Sequence, residues 1–270
     1  MSAISKKFAE LETRNEAALV AYITVGDPSL KQTTRFASAL IQGGVDILEL
    51  GIPFSDPIAD GPVIQAAVKR SLTSGTKPLD ALKIARAINE KHDTPLVLMT
   101  YYNPIFRAGL DQFFRSARES GVSGIIVPDL PVEESAAYKS AAVMASLETI
   151  FLASPSTEPQ RLKEIISQTS GYLYLISLYG VTGIRQSIPR SSLDMIRKYS
   201  DMIEGKIPLA VGFGISEPQH VRALVSAGAN GAIVGSAFIK IIEDNVRNVS
   251  KASAKLTRLA ASLKKGTLRS

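Results

Sequence analysis

The 270-residue chain has no cysteine. That excludes a disulfide framework, a thiolate metal site and a cysteine nucleophile. It fits a reducing compartment, and a cytoplasmic location is the expectation. Histidine is nearly as scarce. His92 precedes an apolar run and His220 falls inside a helical pattern, so no ligand cluster forms around either and no metal is expected. Lysine is missing where a Schiff base would need it, at the ends of the apolar runs; Lys206 stands ahead of one instead. There is no GxxxxGK[ST] loop for a nucleotide. No apolar run reaches membrane-spanning length, and residues 1–12 form an amphipathic pattern (Ile4, Phe8, Leu11) rather than a signal-type apolar stretch. No membrane association is expected.

A net charge of +6 raises the question of a nucleic-acid partner until the charge is located. From Lys240 to Ser270 there are eight Lys and Arg against two acids, which is the whole excess; the rest of the chain carries 23 of each sign. A basic terminal helix reads as a solvated face. No aromatic residues are interleaved with its charges to stack on bases, so no nucleic acid is expected.

What is present is a regular alternation. The chain is 45% hydrophobic and 21% charged, an ordinary globular balance. Apolar, β-branched runs at 18–24, 45–50, 95–102, 123–128, 147–153, 172–176, 207–211 and 231–234 each precede a helical pattern. Continuous rather than alternating hydrophobicity predicts parallel strands covered on both faces. Eight βα units over this length predict a (β/α)8 barrel of the TIM type, with an extra N-terminal helix and a site built from the loops after the strands. A doubly wound open sheet is the alternative. No internal boundary is marked, so a single domain over residues 1–270 is expected. Residues 103–104 read as the break after the third strand, and one final helix is expected over 238–263, with an apolar stripe from Ile242 to Leu263.

The stretch after the second strand stands out. Glu49 lies among Ile47, Leu48 and Leu50, so its carboxylate is expected to be partly buried, with a partner or a raised pKa. Asp60 stands just before a helix starting at Gly61-Pro62, where it serves either as an N-cap or as a second chemical group. Asp56 before Pro57 suits a turn. Across the predicted barrel, glycines fall at three neighbouring strand ends: Val181-Thr182-Gly183, Gly212-Phe213-Gly214 and Gly235-Ser236. Such glycines let backbone N–H groups approach an anion, and a helix start attracts one. Tyr22, Tyr101, Tyr174 and Phe213 also fall at strand ends, as aromatic walls or simple packing. The combination describes acid–base chemistry on a flat apolar group linked to a phosphate.

The block Glu49-Leu50-Gly51-Ile52-Pro53-Phe54-Ser55-Asp56-Pro57 with Ala59-Asp60-Gly61-Pro62 resembles the signature of the tryptophan synthase alpha chain family. The resemblance extends to Tyr22–Pro28, Asp129–Glu134, Gly180–Gly183, Val211–Ser216 and Gly235-Ser236, and so over nearly the whole chain. It implies retro-aldol cleavage of indole-3-glycerol phosphate to indole and glyceraldehyde 3-phosphate. Glu49 would be the general acid/base, and Asp60 would accept a hydrogen bond from the indole N–H. Tyr22, Met99, Tyr101, Tyr174 and Phe213 would line the substrate. Amides of Gly183, Gly214, Gly235 and Ser236 would hold its phosphate, and the loop around Thr182 would close over it. The resemblance also implies an αββα assembly in which the beta chain carries pyridoxal phosphate and this chain carries no cofactor. Asp56, Asn103, Pro104, Asp129 and Pro131 would belong to the alpha–beta contact. Two departures from the family pattern are Tyr22, where phenylalanine is common, and Leu178, where many bacterial members have arginine. A barrel kept mainly to activate its partner, and another phosphosugar enzyme such as an isomerase, are the competing readings.

Overall fold

A computed structural model describes residues 2–176 and 188–269. Nine parallel strand segments form one sheet: β1 (Ala18–Thr24), β2 (Ile47–Gly51), β3 (Leu96–Met99), β4 (Val122–Ile126), β5 (Glu148–Ile150), β6 (Leu152–Ala153), β7 (Leu173–Ile176), β8 (Leu209–Gly212) and β9 (Gly231–Val234). The sheet order is β5-β4-β3-β2-β1-β9-β8-β7-β6. Its two ends, β5 and β6, are halves of one strand interrupted at Phe151, whose carbonyl accepts the Tyr174 N–H at 3.0 Å. The sheet is therefore a circle of eight strands, and the open-sheet alternative falls.

Burial on both faces follows from the unbroken apolar runs. Val20, Ile47, Val97, Ile126, Ile150, Tyr172, Ala210 and Ile233 point inward and fill the cylinder. The alternate residues, among them Leu19, Leu48, Leu96, Leu175, Val211 and Val234, pack beneath the surrounding helices. The N-terminal helix Ala3–Thr13 buries Ile4, Phe8 and Leu11, spaced on one face, in the same inner cluster. Ser2 caps it by accepting the Ser5 N–H at 3.1 Å. Ser5 in turn donates to Glu148 at the start of β5, so this helix closes the end of the barrel where the strands begin.

Two boundaries differ from the sequence reading, each for a local reason. Asn103 and Pro104 do not end a strand; they lie in the first turn of the helix Tyr102–Ala108, where proline removes only an N–H that has no intrahelical partner. The terminal segment is two helices, Ser236–Asp244 and Val249–Lys264, split by a turn. The Asn248 side chain accepts the Lys251 N–H at 3.0 Å and starts the second helix. The apolar stripe is accordingly divided, with Ile242 on the first helix and Leu256, Ala260 and Leu263 on the second.

The helices Pro62–Thr73 and Ser236–Asp244 pack against each other and against β1. Both begin immediately after segments that carry site residues. Among the described residues no helix is long and apolar enough to cross a membrane.

Candidate active site at the strand C-termini

Glu49 sits in β2 with Tyr22 of β1 and Val97 of β3 as its register neighbours. It faces the interior and is fully buried. The Tyr172 hydroxyl donates a short hydrogen bond to its Oε1. Its Oε2 is buried and has no partner among the described residues. Burial pushes the carboxyl up to about 7, and the Tyr172 bond works in the opposite direction. A group poised there both gives and takes a proton near neutrality. Tyr172 is itself fully buried, and its ring stands 5.9 Å from that of Phe8 on the N-terminal helix.

Asp60 follows β2 by a loop. It is not the N-cap of the next helix: Gly61 occupies that position. Its Oδ2 accepts the Tyr101 hydroxyl at 3.1 Å, and the same hydroxyl accepts the Ala59 N–H at 3.0 Å. Burial raises Asp60 to about 6, opposed by the Tyr101 bond. Tyr22 and Tyr174 stand close enough to both acids to feel their charges. Burial raises each phenol, and the charges of Asp60 and Glu49 add to that in both cases.

Two glycines make room for these rings. A Cβ on Gly51 would lie 2.1 Å from the Tyr22 hydroxyl, and one on Gly212 would lie 2.9 Å from the Tyr174 ring. Met99 closes β3 and packs partly buried against the inner cluster, and Phe213 is buried just past β8.

β8 and β9 are adjacent, so the segments leaving them are neighbours. Gly214 adopts φ +69°, a left-handed conformation suited to glycine. Gly235 caps the helix Ser236–Asp244. The first N–H groups bonding back inside that helix are those of Phe238 and Ile239, both to the Gly235 carbonyl. The amides of Ser236 and Ala237 precede them, at the helix start, a position that suits an anion. Thr182 and Gly183 lie outside the described residues, as does Leu178.

At the rim, Asp56, Asn103, Asp129 and Pro131 are exposed and Pro104 is partly so. Asp129 Oδ1 accepts the Tyr102 N–H at 2.9 Å, which ties two of these loops together. Ile58 and Phe106 are large exposed apolar side chains on the same segments. His92 bonds Ser38 at 2.8 Å and His220 is buried within the helix Pro218–Ser226. Among the described residues no three His, Asp or Glu are grouped to hold a metal ion.

Sequence reasoning missed two partners. Tyr172 was legible only as a strand start, and Tyr101 only as a wall. The available signal was alternation: Tyr172 and Tyr174 are two residues apart on one strand and so face the same side, the side of Glu49.

A closed parallel barrel with two raised-pKa carboxylates and a glycine-capped helix start at the ends of its strands is the layout of a (β/α)8-barrel enzyme. The family model described as "Tryptophan synthase alpha chain" matches residues 8–268. A tryptophan synthase alpha chain from Methanopyrus kandleri is 46% identical over 263 residues, 97% of this chain and 94% of its own length. One from Methanosarcina mazei is 44% identical over 98% of this chain and 94% of its own. A chain in the tryptophan synthase α2β2 complex of Pyrococcus furiosus superposes with a TM-score of 0.86 at 43% identity, covering 92% of this chain and 98% of its own. The chain belongs to the tryptophan synthase alpha chain family.

Proposed function

We propose that this chain is a lyase that cleaves indole-3-glycerol phosphate to indole and glyceraldehyde 3-phosphate, in the last steps of L-tryptophan biosynthesis, and that Glu49 and Asp60 carry the reaction. Protonated Glu49 delivers its proton to indole C3, giving an indolenine. The side-chain hydroxyl on the carbon bonded to C3 then loses its proton to Glu49. The C–C bond breaks as the aldehyde forms, its electrons restore the indole ring, and Glu49 ends as it began. Asp60, held by Tyr101, accepts the indole N–H and stabilises the positive charge on the ring. Tyr22, Met99, Tyr101, Tyr174 and Phe213 flank the ring. The amides of Gly214, Gly235 and Ser236, with Thr182 and Gly183 from the sequence after β7, hold the phosphate. The observation that supports this most is Glu49 Oε2: a buried carboxylate oxygen with no partner among the described residues, in a site where Tyr174 feels the charge of a second acid, Asp60.

The beta chain is the proposed partner, in an αββα complex. Asp56, Asn103, Pro104, Asp129 and Pro131 would face it around Ile58 and Phe106. The beta chain carries pyridoxal phosphate, and this chain works without a cofactor, as one domain, in the cytoplasm. Indole release from indole-3-glycerol phosphate, by the purified chain alone and across a beta-chain titration, tests the proposal. Absence of release at every beta concentration would leave only a partner-activating subunit; turnover of a phosphoribosyl substrate instead would make it an isomerase.

Two effects follow at the site. An ionised Asp60 is needed to accept the N–H, so kcat/KM is expected to fall as pH drops through about 6. The Asp60→Asn variant should lose that limb and sit on a lower plateau; a limb unchanged in Asp60→Asn would assign it elsewhere. Gly212→Val drives side-chain atoms into the Tyr174 ring. Displacing a ring that flanks the substrate should lower kcat/KM on the order of 10²-fold. Steady-state kinetics alongside unchanged far-UV circular dichroism would separate this from misfolding.

A further inference from the structure

We infer that Arg70 is a positioning residue that sets the span between the ring end and the phosphate end of the site. It rests on the function proposed above. Arg70 lies in the last turn of the helix Pro62–Thr73, whose first residues follow Asp60 directly. Its Nε and Nη2 donate to the two carboxylate oxygens of Asp27, each at 2.8 Å. Its Nη1 donates to Glu243 Oε1 at 3.0 Å. Glu243 lies in the last turn of the helix Ser236–Asp244, which begins at the anion seat. Asp27 belongs to the turn after β1, the strand that carries Tyr22.

One guanidinium thus joins three elements that each present a different part of the site. Both helices start at the site and run away from it, and Arg70 and Glu243 fasten their far ends together. Arg70 also anchors the pair to β1, where the Tyr22 ring packs on Gly235: a Cβ there would lie 3.4 Å from that of Tyr22. Further bonds hold the β1 turn to the first helix. Ser71 Oγ donates to the Val25 carbonyl at 2.6 Å, and Ser74 Oγ to the Gly26 carbonyl at 3.3 Å. The Asp27 side chain is fully buried, whereas Glu243 is about one-third exposed, so the two arms of Arg70 differ in kind. The Asp27 arm is the anchor: a bidentate pair on a fully buried carboxylate. The Glu243 arm adjusts the slide of one helix along the other and adds little to stability.

A ruler acts only on a ligand that touches both ends. Loosening it should weaken a two-ended ligand and leave one-ended fragments alone, whereas local damage to either seat would weaken the matching fragment. The variants are Glu243→Gln, which releases the second helix, and Arg70→Lys, which keeps the charge but loses the planar fork. The probes are sn-glycerol 3-phosphate, which occupies the phosphate end, and indole-3-propanol phosphate. The latter spans both ends and has no hydroxyl through which to be cleaved.

By calorimetry, glycerol 3-phosphate should bind both variants within about twofold of wild type, while the spanning analogue weakens about threefold in Glu243→Gln and about tenfold in Arg70→Lys, as expected when two held ends fall out of register. Thermal melts of Glu243→Gln should match wild type. Equal affinity of the analogue for wild type and both variants would overturn the inference, as would a parallel loss of glycerol 3-phosphate or a wild type that binds neither probe. Wild-type cleavage of indole-3-glycerol phosphate, followed in parallel, decides the proposed function separately, because the binding split needs no turnover.

Discussion

Glu49→Gln should reduce indole release by about 10³-fold, inside the range that a positioned acid–base group supplies. The same variant should be more stable than the parent. Glu49 is a buried carboxyl raised from 4.5 to about 7. Between those values the folded chain holds a proton that the unfolded chain has released, so stability falls as pH rises through this window. Above pH 7 the full penalty is present, up to about 3 kcal/mol by linkage. Glutamine keeps an oxygen for the Tyr172 hydroxyl and has no charge to bury. Urea unfolding of the two proteins should therefore coincide near pH 4 and diverge by pH 8, with the variant ahead. Near-parental turnover, or a variant weaker than wild type at pH 8, would remove Glu49 from the role given to it. Loss of activity with gain of stability is the pattern expected when a strained charge is kept for chemistry.

The second large effect lies at the other end of the barrel. Lys264 Nζ contacts Asp46 at 2.7 Å and Glu16 at 2.9 Å. Asp46 Oδ2 also accepts the Leu19 N–H at 2.7 Å. Burial pushes Asp46 up, and Lys264 works against that shift. This cluster joins the C-terminal helix to the entries of β1 and β2. Lys264→Met would leave the mostly buried Asp46 without its counter-charge, a change that destabilises by about 2–3 kcal/mol, less than for a fully buried pair because both side chains keep some solvent and Asp46 keeps the Leu19 N–H. An unpaired Asp46 has a folded pKa further above its unfolded value, so its penalty grows as pH rises through the carboxylate range and disappears below it. The deficit should be large at pH 7 and small at pH 4 in urea titrations. Adding Asp46→Asn should recover part of it at pH 7. A deficit independent of pH would point to lost packing of the lysine stem instead.

The parts of the fold legible in sequence were those written in local pattern. The first and eighth strands fall where the apolar runs place them, at Ala18–Thr24 and Gly231–Val234. Glu49 was marked by its apolar neighbours, and the late glycines by their position after strands. Illegible features depended on residues far apart in the chain. Nothing in the apolar run 147–153 announces a break at Phe151; it arises where the closing strand pairs β4 through one half and β7 through the other. Tyr172 meets Glu49 across 123 residues of sequence, and Tyr101 meets Asp60 across 41. The split of the last helix was readable in principle from Asn245 and Asn248, but the apolar spacing continued across it and hid the turn.

The helix that corks the barrel precedes every strand of the wall it plugs, and that wall closes only with β9. Ile4, Phe8 and Leu11 share their cluster with Tyr172 and Ile233. At about 5–20 residues per second, the ribosome needs on the order of ten to forty seconds to get from one to the other. Until then the helix and Tyr172 can meet only part of the cluster that packs them in the finished barrel, and the Tyr172 bond to Glu49 lacks its full support. A half-made chain thus cannot set its own proton donor, and competence arrives only when the cylinder is whole.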